Sequence, residues 1–245
     1  MTAEQKNSLG RFLDRAAASV SGGYLTVLRE EEPAGEDAPG NIREPESLER
    51  IAADIRSCAA CGLSETRKNA VPGEGVPHPL VVVIGEGPGF DEDNTGRPFV
   101  GRAGQLLDRM LDSKGQIGLY RNKNCFIANV VKCRPPGNRD PLPAEMSACG
   151  SFLTRQLALL APRVILCVGK VAANRLLGSV VPETIGSLRG RFHSIEGIPM
   201  LATYHPSALL RNEALKKPAW DDMRLLREKL CELDGAYAKT VAKGM

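Results

Sequence analysis

Between Leu80 and Gly104 the chain reads LVVVIGEGPGFDEDNTGRPFVGRAG, and this stretch limits the possible fold more than any other. The apolar run from Leu80 to Ile84 is too short for a helix and suits a strand buried on both faces. It breaks at Gly85-Glu86-Gly87-Pro88-Gly89, through which no regular element continues. An acidic turn follows at Asp91 to Asp93, then a Pro98-Phe99 step, and a helical pattern begins at Gly101-Arg102-Ala103-Gly104. A buried strand that opens into a glycine-rich turn at its carboxyl end is where open α/β sheets place their ligands. Here the turn carries an acid, Glu86, and the segment beyond it an aromatic ring, Phe99. The nucleotide-binding patterns G-x-G-x-x-G and G-x-x-x-x-G-K-[ST] are absent. The competing reading is a structural turn whose glycines serve only tight backbone geometry.

The remaining periodicities place this strand in a larger pattern. Ser47 caps a helix that contains Arg50 to Ile55 and runs into Cys58-Ala59-Ala60-Cys61. Gly101 to Leu111 forms a helix with Leu106, Leu107, Met110 and Leu111 on its buried face. A second strand spans Cys125 to Val131. Pro143 opens a helix that reaches Leu160, with Met146, Cys149, Phe152, Leu153, Leu157 and Leu160 on one face. A third strand spans Val164 to Val168 and leads into a helix from Val171 to Leu177. A fourth spans Met200 to Tyr204 and ends at His205-Pro206-Ser207, and Ala219 to Leu233 is the closing helix. Strands alternating with helices imply a parallel sheet covered on both faces. Glu86, Asn129 and His205 then meet on the carboxyl edge of that sheet.

Residues 1–46 read as an acidic, flexible extension, with a short amphipathic helix over Ser8 to Val20 and a linker at Glu30 to Gly40. The folded domain is expected over residues 47–233, with a tail over 234–245. Residues 1–50 hold 6 Lys/Arg against 10 Asp/Glu, and the remainder holds 26 against 19. A basic body suits a polyanion. No apolar run reaches membrane-spanning length and no secretory signal is visible, so a cytoplasmic protein with no membrane partner is expected, working as a monomer.

The seven cysteines fit metal binding or core filling better than disulfides in that compartment. Cys58-x-x-Cys61 is a chelating half-site. Cys133 and Cys149 complete four thiolates, a set that suits zinc or an iron–sulfur cluster, and spacing does not choose between them. Cys125, Cys167 and Cys231 lie on apolar positions and read as buried thiols.

Five motifs in order carry a resemblance. Gly85-Glu86-Gly87-Pro88-Gly89, Pro98 to Gly104, Asn129 to Pro136, Asn138-Arg139-Asp140-Pro141 and His205-Pro206-Ser207 are similar to those of the family 4 uracil-DNA glycosylases, from about Ser47 to Leu230. The resemblance implies a three-layer α/β/α sandwich with a central four-stranded parallel sheet. It also implies a [4Fe–4S] cluster on Cys58, Cys61, Cys133 and Cys149, and so selects iron–sulfur over zinc. A related branch that traps DNA covalently carries a basic loop with a reactive histidine after the second strand, whereas here Lys132 leads directly into CRPPGNRDP. Another branch lacks the acid that Glu86 supplies.

The implied activity is excision of uracil from single- or double-stranded DNA. Glu86 and His205 are the expected catalytic pair, and Glu86, Gly87, Phe99, Asn129 and His205 the expected uracil pocket. Lys132, Arg134, Arg139, Ser207, Leu210 and Arg211 are expected to face DNA, together with Arg121 and Lys123, with an apolar wedge in the His205–Arg211 loop. Asp91, Glu92 and Asp93 read as a solvated turn, one of which could border the uracil C5 edge. His78 and His193 read as structural or solvated. The alternative is an iron–sulfur DNA-binding sensor of damage or redox state, which would have no need of Glu86, Asn129 and His205 together.

Overall fold

The structure, a computed structural model, describes residues 46–112, 116–179 and 181–242. The expectations for the extension before residue 46 lie outside the described residues. Six strands are β1 (Glu74–Gly75), β2 (Val81–Gly85), β3 (Cys125–Asn129), β4 (Val164–Val168), β5 (Phe192–Ile195) and β6 (Ile198–Thr203). They form one sheet in the order β1-β3-β2-β4-β6-β5. The inner four, β3-β2-β4-β6, are parallel, as the alternation of strands and helices requires.

The expected four-stranded sheet is extended by β1 and β5, each antiparallel to its neighbour. β5 and β6 are joined by Glu196-Gly197, both at positive φ, +49° and +81°. Two such residues make the tight hairpin turn that matches strand twist. Glutamate seldom adopts that conformation, so Glu-Gly is a weaker hairpin signal than Asn-Gly.

Each inner strand sends alternate side chains to opposite faces. Val82 and Ile84 of β2, with Ile165 and Cys167 of β4, enter one core. Val81 and Val83, with Val164, Leu166 and Val168, enter the other. The first core is covered by α1 (Leu48–Ser57), α5 (Pro143–Leu160), α6 (Lys170–Leu177) and α7 (Ile185–Leu188). The second is covered by α4 (Arg102–Asp112), α8 (Pro206–Arg211), α9 (Lys216–Leu233) and α10 (Gly235–Ala242). The short helices α2 (Leu63–Thr66) and α3 (Phe90–Thr95) lie in the connections around β1 and β2.

Ser47 caps α1 as expected, its Oγ accepting the Arg50 N–H at 3.1 Å. The segment read as a tail is instead the helix α10, which buries Tyr237 and Val241 and lets the Tyr237 hydroxyl donate to the Ile117 carbonyl. Cys125 and Cys167 are fully buried within their strands, where burial raises both thiols. Among the described residues no helix is long and apolar enough to cross a membrane.

Candidate active site

The inner strands end level with one another, Gly85 beside Asn129 and Val168 beside Thr203. The connections leaving these ends surround a cavity of about 660 Å³, lined by Glu86, Gly87, Phe99, Asn129, Tyr204 and His205 among others. The expected uracil pocket is therefore brought together from four distant segments of chain.

Glycine at 85 is what allows this convergence. A Cβ there would lie 2.4 Å from Asn129 Oδ1 and 2.5 Å from Phe99 Cζ. Asn129 is buried, and its Oδ1 has no hydrogen-bond partner. A buried amide oxygen left unpaired costs about 1–3 kcal/mol, so an N–H supplied by a ligand is the natural complement.

Phe99 is buried with its backbone at φ +52°, a left-handed conformation that costs roughly 1–3 kcal/mol in a residue with a side chain. Its surroundings hold it there. The Arg121 guanidinium donates to the carbonyls of Pro98 at 2.5 Å and Phe99 at 2.6 Å. Glu92 Oε1 accepts from the backbone N–H of Val100 at 2.8 Å and Gly101 at 2.9 Å, and Oε2 accepts from Gly89 at 3.1 Å. Gly104 lets the loop cross closely, since a Cβ there would lie 1.9 Å from the Phe99 carbonyl oxygen.

Two expectations change here. The acidic segment is the helix α3 rather than a solvated turn. Glu92 binds three backbone amides, and buried Asp93 accepts from the N–H of Lys68 at 2.9 Å and of Asn69 at 3.3 Å. Arg121 does not face DNA, because its guanidinium is committed to the Phe99 loop and to Asp108. The Gly89-x-x-Glu92 spacing, a cap-like signal, could have disclosed the Glu92 role. Nothing in the sequence marks Arg121.

His205 stands 5.8 Å from Phe99 between ring centroids. Gly169, at φ +102°, brings the turn after β4 against it, and a Cβ there would lie 3.2 Å from His205 Cβ. Burial and the Arg211 charge hold the imidazole neutral, with its pKa near 4. The Ser207 backbone N–H donates to His205 Nδ1 at 3.2 Å, with the Ser207 hydroxyl at 2.8 Å. Since Nδ1 accepts, the ring proton resides on Nε2, and the side chain is an uncharged donor. The segment expected as a wedge-bearing loop is the helix α8. Leu209 is buried in the core and Leu210 is exposed, so only Leu210 can serve as a wedge.

Glu86 is half-buried. Burial and the neighbouring Asp140 carboxylate raise its pKa to about 7, against the opposing pull of Lys170. Lys170 and Asp140 pair with each other at 3.2 Å.

Cys58, Cys61, Cys133 and Cys149 all border one narrow cavity with Arg67 and Lys132. Their sulfurs meet N–H groups: Arg67 Nη1 donates to Cys133 Sγ at 3.0 Å and the Lys132 backbone N–H to Cys149 Sγ at 3.3 Å. Among the described residues no three His, Cys, Asp or Glu side chains are gathered closely enough for a single metal ion. Four soft donors around one space, with N–H groups directed at sulfur, are a donor set that suits a thiolate-bound centre.

The Lys132 side chain also departs from expectation. It is fully buried and cannot reach a phosphate. Its Nζ donates to the Asn129 carbonyl at 2.9 Å and to Gln156 Oε1 at 2.7 Å, and burial lowers its pKa to about 8. It braces the strand end behind Asn129. Arg139, Ser207 and Arg211 line the cavity, although Arg139 is bound by both terminal nitrogens to Glu145, whereas Arg134 and Leu210 lie outside the lining, each next in sequence to a residue of it. Of the two other histidines, His193 meets the Leu188 carbonyl at 2.8 Å, and His78 lies on the far side of the sheet from the cavity.

Comparison with known proteins now bears on this geometry. The family model for the uracil DNA glycosylase superfamily matches residues 72–224. A type-4 uracil-DNA glycosylase of Archaeoglobus fulgidus is 43% identical over 192 residues, 76% of this chain and 94% of that protein. The chain belongs to the type-4 uracil-DNA glycosylases. A second type-4 uracil-DNA glycosylase, from Saccharolobus solfataricus, is 42% identical over 191 residues, 76% of this chain and 87% of its own. A type-5 uracil-DNA glycosylase of Pyrobaculum aerophilum is more distant, 31% identical over 150 residues, 57% of this chain and 66% of its own. The type-4 assignment agrees with the acid at Glu86.

Proposed function

We propose that this protein excises uracil from DNA by hydrolysing the N-glycosidic bond, leaving an abasic site. One observation carries the reading: the buried, unpartnered Oδ1 of Asn129 in the wall of a cavity that also holds Phe99 and the neutral donor His205. A base in a duplex must be swung out of the stack to be reached. The Phe99 ring then covers its face. The Asn129 carbonyl oxygen accepts from N3–H and its amide donates to O4. Cytosine reverses that pattern and leaves buried groups unpaired. His205 Nε2–H donates to O2 as negative charge gathers on the departing base. A neutral donor there avoids storing a fixed positive charge in the empty pocket, and such a preorganised bond is worth about 3 kcal/mol. Glu86, ionised, aligns water against the sugar and stabilises its developing positive charge.

Cys58, Cys61, Cys133 and Cys149 would hold a [4Fe–4S] cluster. When bound, it supplies cross-links among α1, the segment after β3 and α5, and no electron transfer is needed for glycosidic hydrolysis. Arg134, Ser207, Leu210 and Arg211 would meet DNA, with Arg139 held beside them by Glu145, and the enzyme would act as a cytoplasmic monomer. Incubation with an end-labelled oligonucleotide holding one uracil, followed by alkali, tests the reading. Cleavage at uracil and not at cytosine or thymine is expected, and an uncleaved strand at equimolar enzyme overturns it.

A further inference from the structure

Phe90 is left unexplained by both the core and the pocket. It opens α3 immediately after Gly89, belongs to neither hydrophobic core, and is 56% exposed. The other exposed large apolar side chains among the described residues are aliphatic. Its two neighbours in sequence, Gly89 and Asp91, line the cavity and Phe90 does not; Arg134, which lies over the ring, is bound to the lining residue Asn138, so the ring stands outside the cavity, beside its wall.

Two cations attend it. Arg134 Cζ lies 5.2 Å from the ring centroid and Lys68 Nζ 5.8 Å, yet more than half of the residue stays open to solvent. Both cations are anchored by neutral groups, Arg134 Nε by Asn138 Oδ1 at 2.7 Å and Lys68 Nζ by Asn94 Oδ1 at 2.8 Å. Their charges are thus not neutralised by a carboxylate, in contrast to Arg139 on Glu145 and Arg155 on Glu46 and Asp54. An open ring flanked by two available positive charges fits a nucleobase with its adjoining phosphates, since every base offers a π-face and every linkage an anion.

We propose that Phe90, with Lys68 and Arg134, is a stacking platform for a base adjacent to the flipped nucleotide. This rests on the reading that the cavity takes a uracil swung out of DNA. Extrusion strips the neighbouring base of a stacking partner on one side. The platform replaces that partner from beside the cavity wall, while Leu210, exposed on α8 next to the cavity-lining Arg211, offers an apolar contact from a different element. The contact requires no particular neighbour, so it adds affinity with little sequence preference.

The test uses the full-length protein and a single-stranded oligonucleotide with one 2′-fluoro-deoxyuridine, which resists cleavage, and 2-aminopurine on its 5′ or its 3′ side. Phe90→Ala should weaken binding about tenfold, the scale of one base–aromatic stack. Phe90→Trp should restore it and Phe90→Leu should not. The 2-aminopurine emission should differ between the natural protein and Phe90→Ala on one side only. Inhibition by free uracil should be the same in all variants, because the pocket is untouched. Unchanged affinity in Phe90→Ala, or full affinity in Phe90→Leu, overturns the platform while leaving uracil excision standing. A natural protein that releases no uracil overturns both.

Discussion

Glu86 faces opposing demands. Its proposed role needs a carboxylate, but burial and Asp140 move its pKa from the ordinary 4.5 to about 7. The anion is therefore costly in the free enzyme and is relieved only as positive charge develops on the sugar, which directs its stabilisation to the transition state. Activity should fall about tenfold per pH unit below pH 7 as the carboxylate protonates. His205, neutral down to about pH 4, adds no second limb in that range. In Glu86→Gln this acid limb should vanish and turnover should drop by roughly 10²–10³, with binding of uncleavable DNA unchanged; an identical pH profile in the variant would remove the carboxylate from the mechanism. The same shift has a consequence for stability. A carboxyl whose pKa is raised by folding favours the protonated native state, so its cost is absent below pH 4.5, grows up to pH 7 and is complete above it. Glu86→Gln should unfold later than the natural protein at pH 8, by about 1–2 kcal/mol after allowance for solvent screening, and the two should converge at pH 4. Coincident denaturation curves at both pH values would contradict this. At the same scale Asn129→Ala should lose uracil excision through base recognition, and wild-type rates in that variant would place the residue outside the pocket.

At the scale of elements, the connections do more than join strands. The Phe99 loop is held by Arg121 and Glu92, neither of which lines up with the base-recognition groups in sequence. Arg121→Met should leave the sheet intact but release Phe99 from its left-handed backbone. The Michaelis constant should rise and turnover should fall together, with near-normal unfolding; unaltered kinetics would show that the loop holds itself. The cysteine connections offer a second test. Protein purified without air should be brown with about four irons per chain, and Cys58→Ala should lose the iron and melt earlier, because ligand binding and folding are coupled. A colourless, fully active protein would exclude the cluster. These elements also show what the chain disclosed. The four inner strands, α4, α5 and α6 were legible because each is a run of apolar residues at one clear period. The edge strands, α3 and α8 were not. β1 has two residues, α3 has six and half of them are acidic, and α8 begins at Pro206 and has six, too few for any period to be visible. Glu86, Asn129 and His205 were legible because they stand at ends of strands. Lys132 was misread because a lysine beside arginines ordinarily faces solvent, whereas here the Asn129 carbonyl and Gln156 satisfy it internally.

At the scale of the whole molecule, parallel topology brings every functional connection to one sheet edge and leaves the opposite edge free of them. On the proposed reading, DNA at that edge would meet cations of two kinds. Arg139 is tied to buried Glu145, so it fastens the segment after Cys133 to the start of α5. Arg134 and exposed Arg211 have no carboxylate partner among the described residues. The two kinds should separate in a salt titration. Each phosphate contact releases condensed counterions, so affinity falls with salt by a slope of about 0.9 per contact on duplex and about 0.7 on single strands. Replacing Arg134 and Arg211 together by alanine should flatten the slope by nearly two such increments, with equal effect on uracil-containing and uracil-free DNA. Arg139→Ala should instead lower the melting temperature, because it leaves the Glu145 carboxylate without its cation, and should change the slope less. If the double variant keeps the natural slope while Arg139→Ala flattens it, the assignments are reversed: Glu145 must then release Arg139 to a phosphate when DNA arrives, and the ion pair would be a latch rather than a brace.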